Sequence, residues 1–196
     1  MTNDQYAAFV EATGHGAPDD WEDGTVPVGK GDHPVVNVSW DDAVAYTAWL
    51  SAETGQDFRL PTEAEWEKAC RGVDGLIYPW GNTFEANRAN TYEEGPGETT
   101  PVGSYSLVGG DSPFSVADMA GNVWEWTSSE FREYPYDATD GRENLDREFL
   151  HVVRGGSFDD ETSRVRCAVR PGLNHGFADV NLGFRVVWAS PSASGL

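Results

Sequence analysis

Three stretches in the first third of the chain repeat apolar positions at helical spacing, each bounded by a start and a stop signal. Thr2 and Gln5 make a T-x-x-Q capping box ahead of an apolar face of Tyr6, Phe9 and Val10, and Gly14 stands where a left-handed cap belongs. Ser39 with Asp42 opens a second helix, striped by Ala43, Val44, Thr47 and Leu50 and ended by Gly55. Thr62 with Glu65 opens a third, which should bury Trp66, Ala69 and Cys70 before Gly72 stops it. From about Leu76 the pattern changes. Gly, Pro, Asn and Asp recur every few residues and the apolar runs shorten to strand length. Val123–Thr127, Phe149–Arg154, Arg164–Val169 and Gly183–Trp188 are the predicted strands, joined by loops long enough to need ions or function to order them. The expectation is one loop-rich α+β domain over residues 1–190, followed by a flexible small-residue tail at 191–196.

Composition narrows the function classes. The chain has 196 residues, 33 acidic and 13 basic, for a net charge of −20. That length supports a hydrophobic core, and 12% aromatic residues is too apolar a content for a disordered acidic tail. Nucleic acid is excluded as a partner, because phosphates need a cationic footprint. No run approaches the roughly 20 apolar residues of a membrane span, and the first residues show no signal-peptide pattern, so neither a span nor a leader is expected in this sequence. Lys30 and Lys68 are the only lysines, so the cationic charge is carried by arginine. Many carboxylates with almost no lysine suit a halophilic source, where salt screens the self-repulsion. The four histidines share no ligand spacing, and no nucleophile–base set or phosphate loop can be assembled.

Five ordered motifs then carry a resemblance. They are Arg59-Leu60-Pro61-Thr62-Glu63-Ala64-Glu65-Trp66-Glu67, Tyr78-Pro79-Trp80-Gly81, Gly121-Asn122-Val123-Trp124-Glu125-Trp126, Arg154-Gly155-Gly156-Ser157-Phe158 and Leu182-Gly183-Phe184-Arg185. In that order they resemble the formylglycine-generating enzyme, or sulfatase-modifying factor, superfamily. The resemblance implies a C-type-lectin-like fold: a small antiparallel sheet, flanking helices and long irregular loops. Family members usually carry additional N-terminal strands, which are expected to be missing here because the chain begins at its first helix.

The resemblance also implies where chemistry would sit. The family's enzymes use copper held by two cysteines just after the Gly-Gly-Ser-aromatic motif; here that stretch, from Phe158 to Arg166, contains none. Carboxylates and hydroxyls cannot replace soft thiolates in copper chemistry, so no copper and no catalytic residue is expected, and Ser157 and Trp124 are read as scaffold. Taken alone, Cys70 and Cys167 are two buried thiols. The resemblance implies that they form a structural disulfide, which would favour an extracytoplasmic or cell-surface location. It further implies calcium at Asp118, Gly121, Val123 and Glu125, and a second calcium at Asn90, Thr91, Glu94 and Pro96, both oxygen-rich sets.

The segment 171–181 places apolar groups among polar ones without helix or strand period. In ligand-binding members, including the variable proteins of diversity-generating retroelements, this segment carries recognition. The expected surface is Leu173, Asn174, His175, Phe177, Asp179 and Val180 with Trp124 as a floor, for an unidentified protein or small-molecule ligand. The rival reading is a divergent oxidoreductase, formylglycine-generating or sulfoxide-synthase-like, that needs a partner domain.

Overall fold

The computed structural model describes residues 1–145 and 149–189; the tail expected at 191–196 lies outside the described residues. Three helices form where the caps place them: α1 (Asn3–Thr13), α2 (Trp40–Thr54) and α3 (Glu63–Arg71). Each begins with a complete capping box, in which the Thr2, Ser39 and Thr62 side chains accept the backbone N–H of Gln5, Asp42 and Glu65. Such a cap contributes about 1 kcal/mol by satisfying N–H groups that the helix leaves unpaired.

Six short strands follow: β1 (Phe58–Arg59), β2 (Trp124–Glu130), β3 (Leu150–Arg154), β4 (Gly172–Asn174), β5 (Leu182–Phe184) and β6 (Val187–Trp188). The main sheet runs β4-β3-β2-β5, antiparallel except for the parallel β2–β5 pair, and β1 pairs with β6 separately. Two strand expectations are corrected. Arg164–Val169 consists of turns, because the Arg164 and Val169 N–H groups bond back to Glu161 and Arg166 and so leave no ladder. Gly183–Trp188 is two strands in different sheets, broken at Arg185 and Val186. The segment 171–181 is also not wholly irregular: its first residues form β4, with Leu173 opposite His151 on β3.

The principal core lies between the α1–α2 pair and the β2–β5 edge. Tyr6, Phe9, Tyr46 and Phe184 form an aromatic cluster with ring centroids 5.3–6.2 Å apart, and Trp126, Val153 and Leu182 pack against the same core. Full burial of each such side chain stabilises by roughly 1.5–3 kcal/mol. A second cluster under α3 gathers Trp66, Cys70, Met119 and Cys167, and Cys70 and Cys167 are joined as a disulfide. Among the described residues, no helix is long and apolar enough to cross a membrane.

Candidate ligand-binding site

The sequence motifs meet in two buried polar clusters. Glu125 on β2 accepts from Trp66 Nε1 of α3 at 2.6 Å and takes a bidentate pair from Arg185 at 2.5 and 2.7 Å. Burial opposes the charge on Arg185, but the adjoining Glu125 carboxylate raises its pKa above the ordinary value. Glu63, only 1% exposed, accepts from Arg170 at 2.7 Å, and Arg154 at the end of β3 donates to Glu67 at 2.8 Å. These pairs lock α3 onto the sheet. Removing one partner would strand a buried charge, which costs several kcal/mol.

Past Arg154 the chain makes the Gly155-Gly156 turn, and Gly156 holds φ +71°. A Cβ there would stand 2.6 Å from Val165 Cγ1, so both the backbone angle and the close approach require glycine. The turn delivers Ser157, whose Oγ donates to Asp160 at 2.6 Å and accepts from Asn181 at 3.3 Å. Asp160 in turn holds Arg164 at 2.6 Å, and the guanidinium lies 5.4 Å from the centre of the Trp124 ring. Behind this chain of contacts is a cavity of about 230 Å³, lined by Trp124, Val153, Asp159, Asp160, Arg164, Pro171, Leu173, Phe177, Asp179 and Asn181.

The wall opposite the Ser157 turn is pinned from several sides. The Trp40 and Asn37 N–H groups donate to the carbonyls of His175 and Asp179, and His175 Nδ1 lies 2.7 Å from Asp41. Trp124 N–H donates to the Asn181 carbonyl at 2.8 Å. Phe177 remains 43% exposed at the rim, whereas Trp124 is 6% exposed. Of the seven residues expected to form the surface, Trp124, Leu173, Phe177 and Asp179 share this cavity. Asn174 ends β4, His175 is engaged by Asp41, and Val180 lines a separate hollow with Asn37 and Phe158.

The two oxygen-rich loops lie side by side. Asn90 and Gly121 form a parallel bridge, and Asn122 joins the loops by donating its N–H to the Asn90 carbonyl and accepting from Thr100 N–H and Asn90 Nδ2. Asp118, Gly121, Val123 and Glu125 line one cavity of about 290 Å³. Burial raises the Asp118 carboxyl pKa, although Gly103 N–H donates to it at 2.7 Å and Arg185 lies near. In the second loop, Asn90 Oδ1 is buried without a hydrogen-bond partner, and the Thr91 hydroxyl beside it bonds to Glu93. A Cβ on Gly95 would fill the space that Asn90 Oδ1 and the Thr91 carbonyl border, and that position would lie 2.7 Å from the carbonyl. An unpaired amide oxygen beside a backbone carbonyl that accepts only Gly95 N–H among the described residues suits a hard cation such as calcium; Glu94 and Pro96 are exposed on the same loop. At the first loop the donors are also hard oxygens, but Glu125 already has both oxygens on Arg185.

A family model described as the sulfatase-modifying factor enzyme 1-like domain matches residues 1–190. The chain belongs to that family. Among the curated members, it is 37% identical over 172 residues to the inactive C-alpha-formylglycine-generating enzyme 2 of Bos taurus, an alignment covering 80% of this chain and 50% of that one. It is 34% identical to the formylglycine-generating enzyme of Mus musculus, over 80% of this chain and 44% of the relative. The chain thus spans about half the length of these curated relatives. Among solved structures, PvdO from Pseudomonas aeruginosa superimposes with a TM-score of 0.78 at 28% identity, covering 95% of this chain and 77% of that one. Treponema denticola variable protein 1 gives 0.75 at 23% identity, over 95% and 81%, a likeness of fold.

In this member of the sulfatase-modifying factor family, the Trp124 cavity adjoins the Gly-Gly-Ser turn through Asp160 and Asn181, which both bond Ser157. Sequence reasoning located Trp124 and the 171–181 wall but did not find Asp159, Asp160 and Arg164 as lining residues. A signal was present: a Ser-x-x-Asp turn followed four residues later by Arg, all within a loop already marked by its missing cysteines. The Glu125–Arg185 pair was equally hidden, because its partners lie sixty residues apart.

Proposed function

We propose that this chain is a non-catalytic, ligand-binding member of the family, which takes its ligand in the Trp124 cavity against Leu173, Phe177 and Asp179. The observation that carries the reading is the loop after Ser157. It supplies the cavity with two aspartates and an arginine, and both cysteines of the chain are joined to each other in a buried disulfide. Without a free thiol there is no thiolate pair to hold copper, so formylglycine formation lacks its metal ligands here. What remains is recognition: an apolar patch at a rigid rim, with hydrogen-bonding groups around it. Calcium is the structural cofactor in this reading. Asn90 and Thr91 would hold one ion and tie down loop that secondary structure does not; at Asp118, Gly121, Val123 and Glu125 the Arg185 guanidinium already takes the carboxylate of Glu125, so no second ion is placed there.

Two measurements test the reading. Incubation with copper and a sulfatase-type cysteine peptide should yield no aldehyde above background; turnover would overturn it. A ligand-observed NMR screen of the full chain against a fragment library should give hits that Phe177→Ala abolishes while the fold is kept. Hits indifferent to that substitution would place binding elsewhere.

A further inference from the structure

The cavity wall carries three carboxylates, Asp159, Asp160 and Asp179, against one guanidinium, that of Arg164. Asp160 is the partner of Arg164. Asp179 accepts only the N–H of its neighbour Val180, at 2.7 Å, and Asp159 has no side-chain partner among the described residues. Two carboxylates therefore face a small cavity uncompensated, on a chain that is already strongly acidic. Charge is not the only cue. The floor is the Trp124 ring, whose face attracts cations, and Phe177 stands at the rim. The chain itself supplies the second observation: a guanidinium, that of Arg164, already lies over Trp124 while its side chain remains 54% exposed. The site thus seats a cation of its own on a tether that solvent can reach.

We propose that the Trp124 cavity selects a cationic organic group, an alkylammonium or guanidinium on a short apolar stem, which lies over Trp124 in exchange for Arg164. This rests on the ligand-binding reading above and specifies its chemistry. The stem packs on Leu173 and Phe177, and the charged head lies among Asp159, Asp160 and Asp179. An anionic or uncharged head in the same place would leave the two unpaired carboxylates without compensation, so discrimination arises as much from repulsion as from attraction. Arg164 acts as an internal competitor. A bound cation must displace it, which weakens the apparent affinity by the fraction of molecules in which Arg164 covers the ring.

The free small cation and the basic side chain of a peptide share this chemistry, and the test includes both. The full ¹⁵N-labelled chain, in 150 mM salt to suppress diffuse attraction, is titrated with butylguanidinium and, separately, with Ac-Gly-Arg-Gly-NH₂. Butylurea and the citrulline peptide serve as uncharged isosteres. The expected result is saturable shifts at Trp124, Leu173 and Phe177 for the cations, with at least tenfold weaker binding of the isosteres. Asp179→Asn and Asp159→Asn should each weaken binding fivefold or more without lowering the melting temperature. Arg164→Gln should strengthen it threefold or more, an outcome that general attraction to an acidic surface would reverse. If only the peptide saturates, the source is a protein ligand; if both do, a small amine suffices. Equal binding of arginine and citrulline peptides at Phe177 would overturn the cation assignment and leave the ligand-binding reading standing. No response of the cavity residues to either cation would also overturn it, and the fragment screen would then decide the broader reading. Binding unaffected by all three substitutions would show diffuse attraction and overturn it too.

Discussion

Opening the Cys70–Cys167 bridge gives the clearest quantitative expectation. The two residues are 97 apart in sequence, with Cα atoms 5.7 Å apart and neither side chain exposed. In the chain-entropy account, closing a loop of that length removes about 16 cal/mol/K from the unfolded chain, or about 4.7 kcal/mol at 25 °C. For a protein of this size that corresponds to a fall in melting temperature of about 10–20 °C. Guanidinium unfolding of the same preparation with and without reductant measures it directly. The midpoint should fall and the m-value should rise, because the freed unfolded chain expands and exposes more surface. Cys70→Ala/Cys167→Ala should lose slightly more than reduction does, since it also removes two sulfurs from the Trp66–Met119 cluster. A reduced protein within about 1 kcal/mol of the oxidised one would refute the entropic reasoning. Two alkylatable thiols in non-reduced material from an oxidising preparation would refute the bridge itself.

Other outcomes follow from particular contacts. Phe177→Ala should cost well below the roughly 3–5 kcal/mol of a core phenylalanine, because the ring is 43% exposed; a thermal melt that shows the full core cost would make Phe177 a packing residue. Chelation at moderate salt should lower the melting temperature, by an amount equivalent to about 2.7 kcal/mol if calcium had been at a hundredfold excess over its Kd, and Asn90→Ala should blunt that response. On the acid side, the Arg59 hydrogen bonds hold Glu65 below its ordinary pKa, and Asp140 is pulled to about 2 by Arg142. Burial alone would raise Asp42, but the hydrogen bonds from Ser39 and His15 outweigh it and lower its pKa. Groups depressed in the folded state stabilise above their unfolded values and lose that stabilisation as pH falls through the folded ones. Asp118 has the opposite sign, since burial raises it, so it stabilises at low pH and loses that as pH rises. Melting temperature should therefore hold between about pH 7 and 5 and fall steeply below about 4; a monotonic rise on acidification would mean that relief of net repulsion dominates instead.

The helices and their ends were legible in the sequence because capping is local. Thr2, Ser39 and Thr62 each act on a residue three positions away, so the pattern contains its own cause. The family and the missing thiols were equally legible, as ordered motifs and one loop without cysteine. Strands were harder. Leu173 reads as irregular on its own and becomes β4 only because β3 presents an open edge beside it, while Val165 sits in a turn despite its neighbours' strand-like pattern. The candidate site was legible only in part, for the same reason. Trp124 and Phe177 stand out by type, but their meeting with Asp159, Asp160 and Arg164 depends on the Gly-Gly turn and on Asn37 and Trp40 holding the opposite wall. Sequence determines what is satisfied within a few residues. Contacts between residues sixty or more positions apart, such as Glu125 with Arg185 or Glu63 with Arg170, are selected by burial, which leaves each charge only the partner that the fold brings to it.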